Sequence, residues 1–205
     1  MLNFLHKVTS KPWEHAGELE GLHGDSAMAG SASRTGLMMF LAVVTSFFGL
    51  FIITYYTRSR FPDWEMLTDP NILWVNTAVL VLASVALQVA SNAAKRDAAT
   101  VVRNSLIAGA VLTLIFMLGQ SIAWEQLSAA GYYARANPAN AFFYLFTGLH
   151  ALHLVGGMWF LARAGFRMNR VADRDRVRQS VTLCATYWHY LLLVWLVLFT
   201  LLLRT

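Results

Sequence analysis

Three histidines fall where the sequence is otherwise apolar: His150 and His153 in "TGLHALHLVGG" and His189 in "TYWHYLLL". Imidazoles in such surroundings can hold a metal or haem, pass protons, or hydrogen-bond to helices and lipid headgroups. A separation of three residues places His150 and His153 on nearly the same face of a helix. Counted along helices at about 1.5 Å per residue, all three rings reach similar depth on two different helices. A metal or haem between helices is therefore the first chemistry to test. A two-haem site would want four histidines on facing helices, and a carboxylate-bridged di-iron site would want Glu-x-x-His pairs, which the apolar runs lack. The lone cysteine, Cys184, excludes thiolate clusters and an intrachain disulfide. His6, His15 and His23 lie in a polar lead without ligand spacing. The expectation is no metal site, with the apolar-region histidines hydrogen-bonding to neighbouring helices or lipid.

The elements that position these residues are long and apolar. Of 205 residues, 57% are hydrophobic and 13% charged, against about 25% charged in soluble domains. Five runs, 36–57, 72–90, 104–127, 139–162 and 180–203, suffice to cross a bilayer, which takes about 20 helical residues. Charged or proline-containing breaks separate them, such as "RSRFPDWEMLTDPN" and "RAGFRMNRVADRDRVR". The fold expected is an all-α integral membrane bundle of five helices over residues 36–205, after a polar lead, 1–35, read as extended or mobile. A cleaved signal peptide would place its apolar region nearer the start.

Basic residues orient the bundle. On one side fall Lys7, Lys11, Arg34, Lys95, Arg96, Arg103, Arg163, Arg167, Arg170, Arg174, Arg176 and Arg178; on the other, Arg58, Arg60, Arg135 and Arg204. This bias puts the N-terminus in the cytoplasm and the C-terminus outside, in a cell's inner (plasma) membrane. It also explains the net charge of +5 without any nucleic-acid partner.

Within the runs, small and polar residues suit packing. Ser105, Gly109 and Thr113 recur every four residues, and Gly148, Gly156 and Gly157 mark the fourth run as another close-approach surface. Asn76, Gln120 and Glu125 read as polar helix-packing residues, Glu125 being the single acidic residue in a run. Gln120 and Glu125 could alternatively line a transport path. Trp74, Trp124, Tyr132, Tyr133 and Trp195 read as rings near span ends, anchored at the membrane interface.

Five stretches together resemble subunit III of haem–copper oxygen reductases: "RTGLMMFL" (34–41), "NTAVLVLAS" (76–84), "LGQSIAWEQ" (118–126), "TGLHALHLVGG" (147–157) and "YWHYLLLVWLVLF" (187–199). The family has seven-helix and five-helix forms, and five runs match the latter. Two positions depart from its pattern: Val44 stands where the family usually has a membrane Glu, and Leu192 where it often has Asp. No role of that Glu is carried over.

The resemblance implies a subunit with no catalytic residue and no cofactor of its own, haem and copper being held by subunits I and II. It implies a proton-pumping cytochrome c oxidase in which this chain flanks subunit I, supports proton uptake and prolongs turnover through phospholipid held in a cleft. It implies lipid contacts at Arg34, His150, His153, Arg167 and His189. Rival readings are subunit III of a quinol oxidase, a related subunit of nitric oxide reductase and a small membrane transporter. A reporter active only outside the cytoplasm, fused after Thr205, should give signal; a cytoplasmic C-terminus would refute the five-span topology.

Overall fold

A computed structural model describes residues 12–64, 71–170 and 174–203; the side chains of 12–30 and of Arg167, Asn169, Arg170 and Arg174 lie outside that description. The described residues form five helices: α1 (Pro12–Arg58), α2 (Ile72–Ala94), α3 (Ala99–Ala129), α4 (Pro138–Arg170) and α5 (Arg174–Leu203). Each contains a segment long and apolar enough to cross a membrane: Ser31–Arg58, Ile72–Ala94, Ala99–Ala129, Pro138–Phe166 and Asp175–Leu203. The five runs expected from the sequence are thus the five helices, lengthened by a few residues at most ends.

The lead differs from expectation. The extended or mobile form read for residues 1–35 gives way to helix from Pro12 onward; residues 1–11 lie outside the described residues. Pro12 opens this helix, where its fixed φ is already helical and its missing N–H is no loss. The chain divides into two compact units, Met1–Phe40 and Leu41–Thr205, and the packing below belongs to the second.

Local chemistry sets the connections. Asp97 takes a left-handed conformation (φ 55°) in the four-residue link between α2 and α3, which a short polar side chain tolerates. The link is too short for anything but an antiparallel pair, and α2 and α3 pack along their length. Gly131 (φ 89°) ends α3: its N–H donates to the carbonyl of Ser128, and Tyr132 N–H donates to that of Leu127 at 2.9 Å. These paired bonds satisfy carbonyls left free at a helix end and need a residue without Cβ. At the start of α4, Asn137 Oδ1 accepts from the Ala139 N–H at 2.9 Å, and Pro138 takes the first helical position. Beyond α1, the Arg58 guanidinium pairs with Asp63 and holds its carboxyl below the ordinary range.

α2 packs on α3 and α5, and α4 packs on the same two, so α2 and α4 stand diagonally in a four-helix arrangement. From Leu41 onward α1 meets it through aromatic rings: Tyr55 lies edge-on to Phe142 at 5.4 Å and Phe48 lies 5.7 Å from the His153 ring. Outward surfaces are apolar, with Trp159, Phe160, Leu118 and Leu50 all more than half exposed. For a membrane bundle these are lipid-compatible faces, and the driving force for packing is close contact rather than escape from water.

Of the glycines read as close-approach positions, Gly109 and Gly157 act so, whereas Gly148 makes only ordinary contact and Gly156 faces open space. A Cβ on Gly109 would meet the Leu87 side chain at 2.9 Å, and one on Gly157 would meet Tyr187 at 2.8 Å and Trp188 at 3.0 Å; one on Gly156 would meet nothing within 4 Å. Gly157→Ala should therefore destabilise the protein by roughly 1–3 kcal/mol, while Gly156→Ala should be close to neutral. Unfolding in mixed detergent, followed by tryptophan fluorescence, compares the two; equal stability would break the packing argument.

Candidate functional site

The polar and aromatic side chains of α5 converge on every other helix. Tyr187 Oη donates to the His153 carbonyl of α4 at 3.0 Å. Trp188 Nε1 donates to Thr113 Oγ1 of α3 at 3.1 Å. His189 bonds Ser84 and Gln88 of α2 at 2.5 and 2.7 Å. Tyr190 Oη pairs with Thr45 Oγ1 of α1 at 2.9 Å. Four consecutive residues, stepping about 100° apart around the helix, thus reach four different helices. Two turns further on, Trp195 Nε1 donates to Thr77 Oγ1 of α2 at 2.9 Å.

The tryptophan bonds share one device. Each indole N–H ends on a threonine hydroxyl that itself donates to the carbonyl four residues earlier: Thr113 to Gly109 at 2.8 Å, Thr77 to Leu73 at 2.8 Å. Trp124 of α3 repeats it, donating to Thr147 of α4, which donates to Phe143. Donor and acceptor are satisfied inside the bundle, as a medium without water requires.

This corrects the reading of two tryptophans. Trp195 is 1% exposed and Trp124 is half-buried, each bonded to a neighbouring helix; neither is an interfacial anchor. Trp74 and Tyr133, by contrast, are exposed. Depth counted along the chain does not reveal which way a ring points, and the threonine partners lie 118 and 23 residues away.

The residues proposed from sequence fall into distinct surroundings. His150 is fully buried, with its ring 5.1 Å from that of Trp195 and 5.9 Å from that of Phe116, and among the described residues neither ring nitrogen has a hydrogen-bond partner. His153 is half-buried and bonds the Leu149 carbonyl of its own helix at 2.7 Å. Although three apart, the two rings therefore do different things. His189 is exposed on its outer edge. Arg34 is exposed; Arg167 follows directly on the apolar segment of α4, and its side chain lies outside the described residues.

Asn76 and Gln120 are buried at 3% exposure, and Asn76 packs against Gly119 on α3, where a Cβ would collide with its carboxamide. Packing is close here, yet among the described residues Asn76 Nδ2 and both polar atoms of the Gln120 amide have no hydrogen-bond partner; the bonds between helices run through the tryptophans, tyrosines and His189 instead. Glu125 is exposed, beside an open pocket of about 350 Å³ lined by Ser121, Trp124, Ser128, Tyr133 and Tyr144. Among the described residues no three His, Cys, Asp or Glu side chains are grouped to hold a metal ion.

Comparison with known sequences converges on one family. A family model described as cytochrome c oxidase subunit III matches residues 7–204. The chain belongs to the cytochrome c oxidase subunit III family. Its similarity to the cytochrome c oxidase subunit 3 of Thermostichus vulcanus is 29% identity, covering 82% of this chain and 84% of that one. A probable cytochrome c oxidase subunit 3 of Mycobacterium leprae is 28% identical over 80% and 84% of the two chains, and the cytochrome c oxidase subunit 3 of Synechocystis is 26% identical over 90% and 79%. The chain is thus a multi-pass membrane subunit of an oxygen-reducing oxidase. Both the resemblance read from the sequence and the all-helical, five-span fold are borne out.

In this subunit III the α5 contacts predict a measurable coupling. Trp188→Phe and Thr113→Val should each destabilise the protein, and their double-mutant cycle should return about 0.6 kcal/mol, with an upper bound near 1.7 kcal/mol for a hydrogen bond inside a membrane bundle. A coupling of zero would show that the indole fills space without bonding.

Proposed function

We propose that this chain is the non-catalytic subunit III of a proton-pumping cytochrome c oxidase, seated directly against subunit I in a complex that also contains subunit II. The haem and copper that reduce oxygen belong to those partners. The carrying observation is the family match over residues 7–204, nearly the whole chain. The relatives' printed names favour cytochrome c over quinol as donor and oxidase over transporter. The complex resides in the inner (plasma) membrane of a cell with the N-terminus cytoplasmic, in keeping with the basic residues gathered around Lys95, Arg96 and the α4–α5 connection.

The subunit's contribution is to stabilise subunit I, support proton uptake and lengthen turnover life through bound phospholipid. Two features support a lipid role. An open, mostly apolar groove of about 380 Å³ runs between α1 and α5, lined by Ile52, Tyr56, Leu193, Leu196, Val197, Thr200 and Leu201, and offers a cleft for an acyl chain. Arg34 and Arg167 stand at the cytoplasmic ends of their spans, where a guanidinium can grip a phosphate with two hydrogen bonds. His153, half-buried beside Phe48, is a further lipid-side group. His150 has no exposed surface, so lipid contact falls to the others.

Purification of the tagged chain in mild detergent should bring down haem- and copper-containing subunits with oxygen-reducing activity; recovery of the chain alone would overturn the assignment. In that complex Arg167→Ala should lower retained phospholipid by mass spectrometry, leave the haem spectrum and initial rate nearly unchanged, and shorten activity during sustained turnover. Arg174→Ala serves as control, and equal lipid loss in both, or none in either, would remove the headgroup site at Arg167.

A further inference from the structure

Five buried side-chain atoms have no hydrogen-bond partner among the described residues: Nδ2 of Asn76, Oε1 and Nε2 of Gln120, and Nδ1 and Nε2 of His150. They are not scattered. Asn76 of α2 lies against Gly119, Gln120 is the next residue of α3, and the His150 ring of α4 lies 5.9 Å from the Phe116 ring, one turn before Gln120 on α3. All five atoms therefore border a single turn of α3, residues 116–120. Burial of all three residues keeps lipid tails away from them.

The bonded tryptophans frame this turn. Trp124 Nε1 on α3 donates to Thr147 Oγ1 on α4 at 3.0 Å. Gln120 precedes Trp124 by four residues and His150 follows Thr147 by three, so each shares the face of its bonded neighbour. Successive spans run in opposite directions, so both steps lead the same way along the bundle. Gln120 and His150 thus face one another, one turn from the Trp124–Thr147 bond. Farther along, Trp188 Nε1 donates to Thr113 Oγ1, and the Trp195 ring lies 5.1 Å from that of His150. A neutral imidazole brings one donor and one acceptor, and a carboxamide brings two donor hydrogens and an acceptor oxygen. Left dry in an apolar interior, such groups are costly. The three side chains carry no formal charge, so a neutral ligand fits them. Water both donates and accepts, and an internal water typically makes about three hydrogen bonds to buried polar groups that otherwise lack them.

We propose that Asn76, Gln120 and His150 enclose a site for bound water inside the bundle, where water bridges α2, α3 and α4. The site gives His150 a task within the chain, orienting water rather than touching lipid. It also adds a second link between α3 and α4, one turn from the Trp124–Thr147 bond, and satisfies polar groups inside the bundle as a lipid surround requires. It lies wholly within this chain and does not rest on the oxidase assignment.

The test uses the full chain with the subunits that co-purify with it. A cryo-electron density map that shows ordered water elsewhere in the membrane region should show a peak within about 2.7–3.2 Å of a His150 ring nitrogen and of the Gln120 amide. Asn76 Nδ2 should reach that peak or a second one bonded to it. No peak there, or His150 and Gln120 bonded directly to each other, would overturn the proposal. Stability gives a second arm. Removing one of two groups that share a water strands the other, so His150→Phe and Gln120→Leu should each lower the unfolding temperature of the chain by about 2–4 °C. The double variant should lose less than the sum of the two. Dry, unpartnered groups would give the opposite sign, because deleting them removes a penalty. A rise in either single variant, or strictly additive losses, would overturn the shared water. Where a variant fails to accumulate in the membrane, the map of the unaltered protein decides.

Discussion

The bundle depends on α5 being touched from all sides. A helix presents successive residues at about 100° intervals, so a run of four side chains that can each donate or accept a bond faces four directions. Tyr187, Trp188, His189 and Tyr190 are such a run, and they end respectively on α4, α3, α2 and α1. In water the competing solvent would make these bonds worth little. In lipid tails the alternative is an unsatisfied group costing several kcal/mol, so the bonds restrict how the helices can be arranged.

Close packing and hydrogen bonding are one constraint at this site. Trp188 reaches Thr113 only because Gly157 leaves room for the indole, and α2 lies near α3 because Gly109 and Gly119 admit Leu87 and Asn76. Threonine is the recurring acceptor because its hydroxyl can take an indole proton and pass its own to the helix behind it. The result is a set of neutral, locally satisfied bridges. Such bridges set helix positions without adding charge to the apolar region.

Function follows from what this arrangement leaves at the surface. Basic residues gather at the span ends, and an apolar groove opens between α1 and α5. The first surface has the chemistry to pair with a phosphate headgroup, and the second is shaped for an acyl chain.

Sequence by itself determined the five spans, because hydrophobic length is a property of contiguous residues and the bilayer demands roughly 20 of them. It also determined the family, because the signature residues of α4 and α5 are short local strings. It showed the small-residue surfaces at Gly109 and Gly157 through their spacing. Only tertiary structure decided which way side chains point. His150 and His153 share a face on paper, yet one is sealed among Phe116 and Trp195 and the other leans toward α1. Trp195 read as an interfacial ring and proved internal. The lead read as extended or mobile and is helical from Pro12, since polar composition alone does not oppose a helix. Partners such as Thr77 for Trp195 or Ser84 for His189 lie more than 100 residues apart, and no local pattern announces a bond that exists only once the helices are side by side.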